Sequence, residues 1–360
     1  MSSFGGACLE RSREAQSDNQ SAQIRNFRPF RVLLNYKMKL KLTLLTILLS
    51  SALFSQNVKV GKQNWMQKNL EVVTFRNGDT IAQAKTAVDW ILAGVYRQPA
   101  WCYYTDESGK IDTRFGKLYN WYAVSDPRGL APAGWHIPTK AEWEALSDEV
   151  GTKKGASKLK TATDWKSGEP TNASGWSGQP GGKRDHETGK CSGRGSSGTW
   201  WSASASGKDE ATDVSLTNNL EYLSIGTHNK MSGYSVRCIE GDVVIKGKVR
   251  TWNQFGDSII GITTKIGNLE FAKNDFPGML SLYVAQAACA KLGPGWRLPT
   301  QKEVEIMFAN RSQIGGFINA HYWYYDSDIT LGWLNFLDYK MVDAGQLEFA
   351  RGKARAVRSI

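Results

Sequence analysis

The chain has 360 residues, 41% of them hydrophobic and 22% charged, with a formal net charge of +11. That length suggests two domains, and the composition excludes collagen-like, coiled-coil and wholly disordered classes. No apolar run reaches the roughly 18 residues a transmembrane helix needs, and all 14 tryptophans lie after residue 64, which sets the first sixth of the chain apart.

Residues 1–37 mix Ser, Gln, Asn and Arg without a helical or strand period. Met38 opens a different text: a basic start, Met38-Lys39-Leu40-Lys41, then an apolar stretch from Leu42 to Phe54, then small residues at Ser50, Ala52 and Ser55. This is the layout of a secretory signal peptide over 38–55, with cleavage expected between Ala52 and Gln56. Such a peptide works at the start of a nascent chain, so Met38 is the expected initiator and 1–37 an upstream extension. No Cys follows closely enough for a lipid anchor. Removing residues 1–55 leaves 37 basic against 31 acidic residues, and the basic ones are scattered apart from Lys153-Lys154 and Lys158/Lys160. Nucleic-acid binding needs a concentrated basic face, so no nucleic-acid partner is expected.

In the exported part, helices are predicted over Ile81–Ala93, Gly116–Val124 and Leu282–Leu292. Strands are predicted at Trp101–Tyr104, Thr199–Ser202, Glu221–Ile225 and Tyr234–Ile239. Few, short elements between Gly-rich loops read as an α+β fold. One motif occurs twice. Gly134-Trp135-His136-Ile137-Pro138-Thr139-Lys140-Ala141-Glu142-Trp143 returns as Gly295-Trp296-Arg297-Leu298-Pro299-Thr300-Gln301-Lys302-Glu303-Val304. Pro138 and Pro299 hold the preceding residue extended. Thr139 with Glu142, and Thr300 with Glu303, have capping-box spacing at the start of a helix. These helices are expected to bury Trp143, Leu146 and Val150, and Val304, Met307 and Phe308. Losing Thr139 should cost about 1 kcal/mol, a structural role.

Three weaker echoes keep the same order. Val60-Gly61…Trp65…Asn69 pairs with Ile266-Gly267…Phe271…Asn274, one residue shorter; Trp200-Trp201-Ser202 pairs with Tyr322-Trp323-Tyr324; Val236-Arg237-Cys238-Ile239 pairs with Ala354-Arg355-Ala356-Val357. The expected organisation is a first copy over 57–242, a linker or extra strand over 243–264, and a shorter second copy over 265–360. Trp135 to Trp201 spans 66 positions and Trp296 to Trp323 only 27, so the first copy carries a long insertion, the kind of loop on which function sits. Most of the tryptophans then read as core, because large aromatics supply area that short elements do not. Trp165 and Trp176, inside the insertion, are the candidates for stacking on a ligand.

Seven segments in order carry a family resemblance: Val60-Gly61…Trp65-Met66…Asn69-Leu70, Trp101-Cys102-Tyr103-Tyr104, Gly116–Val124, Gly134–Pro138, Pro180-Gly181-Gly182…Arg184-Asp185, Trp200-Trp201-Ser202 and Ser235–Cys238. Over Val58–Asp242 the sequence resembles the Fibrobacter succinogenes major paralogous domain, common in exported proteins of Bacteroidota and Fibrobacterota. The second copy is similar, more loosely, to DUF1566-type domains, through Gly295–Glu303, Ile314-Gly315-Gly316-Phe317 and Arg355–Arg358. Both resemble more distantly the formylglycine-generating-enzyme and C-type-lectin-like fold. The resemblance implies two tandem, loop-rich C-type-lectin-like domains without fixing one function.

Formylglycine-generating enzymes need a cysteine pair shortly before the final strand. Leu220–Tyr234 contains no Cys, so that oxidative activity is the disfavoured alternative. The favoured expectation is a non-enzymatic exported binding or adhesion module, in the periplasm, on the outer-membrane surface or outside the cell, without cofactor or metal, taking a polysaccharide or a cell-surface protein. Asp185-His186-Glu187 is the one compact polar cluster in the long loop, and Asp185 and His186 join Trp165 and Trp176 as ligand-binding candidates. Cys102, Cys191, Cys238 and Cys289 remain after export and allow three full pairings. The second copy lacks counterparts of both Cys102 and Cys238, so these two are the expected disulfide partners; the alternative is two buried free thiols. Cys289 reads as a buried small hydrophobe, and Cys191 as free or lightly paired.

Overall fold

The computed structural model describes residues 57–241, 252–325, 331–343 and 350–360. The expected upstream extension, the signal peptide and the first part of the 243–264 segment lie outside the described residues. The described chain is α+β, short helices between several small sheets. None of its helices is long and apolar enough to cross a membrane.

In the first half, Asn57–Val60 and Gln63–Met66 form a hairpin in which Val58 faces Trp65. Ile239 pairs with both Trp65 and His136, completing a four-stranded antiparallel sheet. A second sheet runs Ser197–Ala205, Glu210–Thr217, Ser224–Asn229. Helix Lys140–Val150 begins as its sequence dictates: Thr139 Oγ1 accepts from the Glu142 N–H, and Glu142 accepts from the Thr139 N–H at 2.8 Å. It buries Trp143, Leu146 and Val150. Between sheets and helix sits a cluster of four fully buried tryptophans, Trp65, Trp143, Trp176 and Trp200. Ring centroids are 4.8 Å apart for Trp65–Trp143 and 5.0 Å for Trp176–Trp200, within the range of favourable aromatic packing.

The second half repeats this hydrogen bonding. Met66 N–H to Cys238 O has its counterpart in Ala272 to Ala356, and Leu70 to Val236 in Phe276 to Ala354. Trp201 to Ser235 matches Trp323 to Lys353, and Ala203 to Pro138 matches Tyr325 to Pro299. Thr300 and Glu303 form the same capping box. This register corrects one sequence pairing: with no gap between the halves, the partner of Asn69 is Asp275 rather than Asn274. It also locates a second insertion. Tyr119 donates to Tyr234 O as Leu280 donates to Gly352 O, so 50 positions separate Asn69 from Tyr119 where five separate Asp275 from Leu280. The first half thus carries two insertions, of which only the later was visible in the motif spacing.

Element boundaries differ where local signals outweigh periodicity. Ala82–Gln83 is a strand parallel to Ala100–Cys102, and the helix runs Ala87–Val95, because Thr86 and Asp89 make a capping box. Gly116 has φ +79°, a glycine-favouring conformation. Leu118–Tyr119 is a strand, and the helix is only Trp121–Val124, capped by Asn120. Leu282–Ala290 is helical, close to expectation. Of the segment expected as linker or extra strand, Trp252–Ile260 is a helix and Thr264–Ile266 a strand. A shared core joins the halves: Ile91, Leu92, Val95 and Tyr96 from helix Ala87–Val95 and its cap pack with Phe276, Val284, Ala288 and Trp323, and the Tyr96 hydroxyl donates to Ala288 O at 2.6 Å.

Candidate functional site

The two insertions meet at a partly exposed group of charges beside Trp165. Asp112, on the short strand Ile111–Asp112 of the earlier insertion, is 7% exposed and accepts a forked pair of bonds from Arg114 Nε and Nη2, the latter at 2.7 Å. Arg194, from the later insertion, reaches the same carboxylate at 3.1 Å. Its guanidinium lies 5.3 Å from the Tyr104 ring centre. The Arg114 bonds hold the Asp112 carboxyl down at about 2, against the opposing effect of burial. Arg114 itself is 63% exposed and comes within 3.9 Å of Asp164, the neighbour of Trp165. Lys166 N–H ties this loop to Gly195 O at 2.7 Å. Exposed Arg114 and Asp164 are thus grouped with partly exposed Arg194 and Trp165, and Asp112 offsets one of the two guanidinium charges that flank it.

Trp165 is half-buried. Its indole N–H donates to Gly178 O at 3.2 Å, and the Lys160 ammonium sits 5.1 Å over the ring, a cation–π distance. Its ring is thus positioned by fixed partners. Trp176 is not available in this way. It is wholly buried, edge-on to Trp65, Trp143 and Trp200, with the Arg237 guanidinium 4.1 Å from its ring centre. As a ligand-stacking candidate it is corrected to a core residue.

Asp185 and His186 lie elsewhere, on the hairpin joining Lys183–Arg184 to Cys191–Ser192. Asp185 Oδ1 accepts from the Glu187 and Thr188 N–H groups and from Thr188 Oγ1, at 2.7–3.0 Å. Burial works to raise its carboxyl, but these bonds leave it below the ordinary value. It shapes the turn. His186 Nδ1 is 3.5 Å from Ser232 Oγ and its Nε2 is 3.9 Å from Glu187. Among the described residues no three His, Cys, Asp or Glu side chains are grouped to hold a metal ion. Arg184, quoted from the sequence only as part of a family segment, holds this hairpin to the earlier insertion, donating to Gly189 O, Ala84 O and Thr86 O across the Trp90 ring.

The expected Cys102–Cys238 disulfide is not formed. All four described cysteines are free thiols, and Cys102 and Cys238 belong to different core clusters. Cys102 instead lies against Cys191. Cys289 is fully buried on helix Leu282–Ala290, as a small hydrophobe would be. The motif residues Pro138, Thr139, Glu142, Pro299, Thr300 and Glu303 serve the helix starts. Trp296 is a core residue, and Trp135 packs partly buried against the first half's core.

The charged signal was legible in one respect. Asp112-Thr113-Arg114 recurs as Asp126-Pro127-Arg128, where Arg128 binds Asp126 in the same forked manner and adds Asp79. An Asp two residues before an Arg, with the turn this implies, marks both places. The first half thus sets two loop-bearing insertions on the α+β frame that the second half repeats. Residues 58–240 match the Fibrobacter succinogenes major domain, and the chain belongs to that family. No curated protein matches it.

Proposed function

We propose that this chain is an exported, non-enzymatic binding or adhesion module of the cell surface, and that the face built by its two insertions takes a polysaccharide. In this reading the described part comprises two tandem C-type-lectin-like domains, the second resembling DUF1566-type domains from about Lys265 to Ile360. Membership of the major domain family and the signal-peptide layout of 38–55 support export. The observation that carries the binding site is partly exposed Trp165, next to Asp164 and near Arg114 and Arg194 where the two insertions meet. An aromatic face stacks on the C–H face of a sugar ring, and planar carboxylates and guanidiniums take its hydroxyls in pairs. A cell-surface protein is the alternative ligand.

The test is retention on a polysaccharide and glycan panel. Wild type should bind at least one glycan, and Trp165→Ala should weaken that binding by about tenfold, the worth of roughly 1.4 kcal/mol of stacking. Trp165→Ala should leave the circular dichroism spectrum unchanged. A folded wild type that binds no glycan, or equal binding by the variant, would remove carbohydrate recognition from this face.

A further inference from the structure

We propose that Cys102 and Cys191 are a redox pair that closes to a disulfide, locking the two insertions of the first half together. Cys102 ends the strand Ala100–Cys102 and is 2% exposed; Cys191 opens the strand Cys191–Ser192 and is partly exposed. They belong to separate insertions, 89 positions apart in sequence. Cys191 packs on the cluster formed by Ala84, Trp90, Ala93, Ala100, Cys102 and Leu118. The Cys102 and Cys191 side chains lie close enough to interact, and the Thr105 backbone lies beside Cys191. Arg184, held by three carbonyl oxygens, brings its guanidinium near both.

This setting divides the two roles. The interaction with Cys102, with Thr105 and Arg184, holds the Cys191 thiol down at about 7 against burial, while burial pushes the Cys102 thiol well up. The thiolate is the attacking species. Cys191, partly exposed and about half ionised near neutral pH, attacks a small disulfide such as oxidised glutathione, forming a mixed disulfide and releasing one thiolate. Cys102 then loses its proton to solvent and attacks the Cys191 sulfur, releasing the second thiolate. Two protein thiols are oxidised by two electrons, and one external disulfide is reduced to two thiols. The second half lacks both insertions, and its one described cysteine, Cys289, has no such partner. The inference stands on this geometry and is independent of the ligand-binding reading.

The test uses the purified full chain, fully reduced, incubated with oxidised glutathione at pH 7.5, quenched in acid, alkylated and digested without reductant. Mass spectrometry should find a peptide pair joined through Cys102 and Cys191, unchanged in Cys238→Ser. In Cys102→Ser, Cys191 should stop at the glutathione adduct. The wild-type map needs no variant to fold. A Cys102–Cys238 link, full alkylation of Cys102 and Cys191 after oxidant treatment, or a wild-type Cys191 that remains glutathionylated would each overturn the proposal.

Discussion

Arg237 and Arg355 occupy the same place in the two halves, and both are fully buried, yet their charges are met differently. Arg355 Nε bonds Asp275 at 2.6 Å, and its remaining N–H groups reach the carbonyls of Ala272, Lys273, Gly315 and Gly316. Arg237 has Asn69 where Arg355 has Asp275. It donates to Asn69 Oδ1 at 3.0 Å and to the carbonyls of Trp176 and Ser177, and its Nε finds no acceptor among the described residues. Burial pushes this guanidinium down to about 9, so it remains charged at neutral pH in a fully buried site. The amide has its own reason. Asn69 Nδ2 donates to Phe115 O at 2.8 Å, a bond that a carboxylate does not make, and Phe115 belongs to the insertion that the second half lacks. Asn69 Oδ1 also accepts from Trp200 Nε1 at 2.8 Å, as Asp275 accepts from Tyr322 at 2.7 Å. Removing one partner of a buried charged pair costs about 3–5 kcal/mol. Asp275→Ala is therefore expected to lower the free energy of unfolding by that amount in urea titrations, and Asn69→Ala by about 2–3 kcal/mol, since it strands two donors. A loss below about 1 kcal/mol for Asp275→Ala would mean that the carbonyls alone satisfy Arg355.

At the scale of elements, the two capped helices show what sequence can and cannot convey. Thr139 to Glu142 and Thr300 to Glu303 are contacts three residues apart, written in local spacing, and both form. What spacing omits is that Glu142 also binds a third group. Its Oε1 lies 2.8 Å from His136 Nε2, while His136 Nδ1 faces Gly241 O at 2.8 Å. In the second half Arg297 takes the place of His136, with two bonds to Glu303. The helix start is thus clamped to the preceding extended segment by a basic side chain in each half. Burial tends to raise the Glu142 carboxyl, but His136 and Thr139 outweigh it and hold it at about 2, below an ordinary 4.5. A carboxyl whose folded pKa is depressed stabilises the protein fully above about 4.5 and loses that contribution as pH falls towards 2. Wild type is expected to lose stability across this window, with Glu142→Gln less stable at pH 6 by about 2 kcal/mol, allowing for partial exposure. The difference should shrink towards pH 2. Denaturation midpoints of the two proteins at pH 6, 4 and 2.5 check this, and a difference independent of pH would show that Glu142 acts through shape rather than charge.

Across the whole molecule, the repeated motif and the α+β class were readable because they rest on local pattern. The burial of Trp176, the packing of Cys191 against the cluster of Cys102 and the earlier insertion were not, because each depends on segments far apart in sequence. Trp176 looked like a loop residue and is core because Trp65, Trp143 and Trp200 converge on it from three other elements. The meeting of the halves was equally hidden: helix Ala87–Val95 lies in the earlier insertion, so it has no counterpart in the second half to reveal it. Its residues Ile91, Leu92 and Val95 are at most 7% exposed, and they share one core with Phe276, Ala288 and Trp323. Residues Asn57–Ile360 accordingly form one unit by their contacts, although the family match ends at 240. Each such side chain contributes about 1.5–3 kcal/mol when taken from water. A fragment spanning 57–241 is therefore expected to melt below the 57–360 chain, to bind a hydrophobic dye that the longer chain does not, and to self-associate through the uncovered helix face. Leu92→Asp should reproduce the loss within the longer chain, lowering a single shared transition rather than splitting off part of it. Equal melting temperatures with no dye binding by the fragment would show the halves to be energetically independent, and the shared cluster to be contact without coupling.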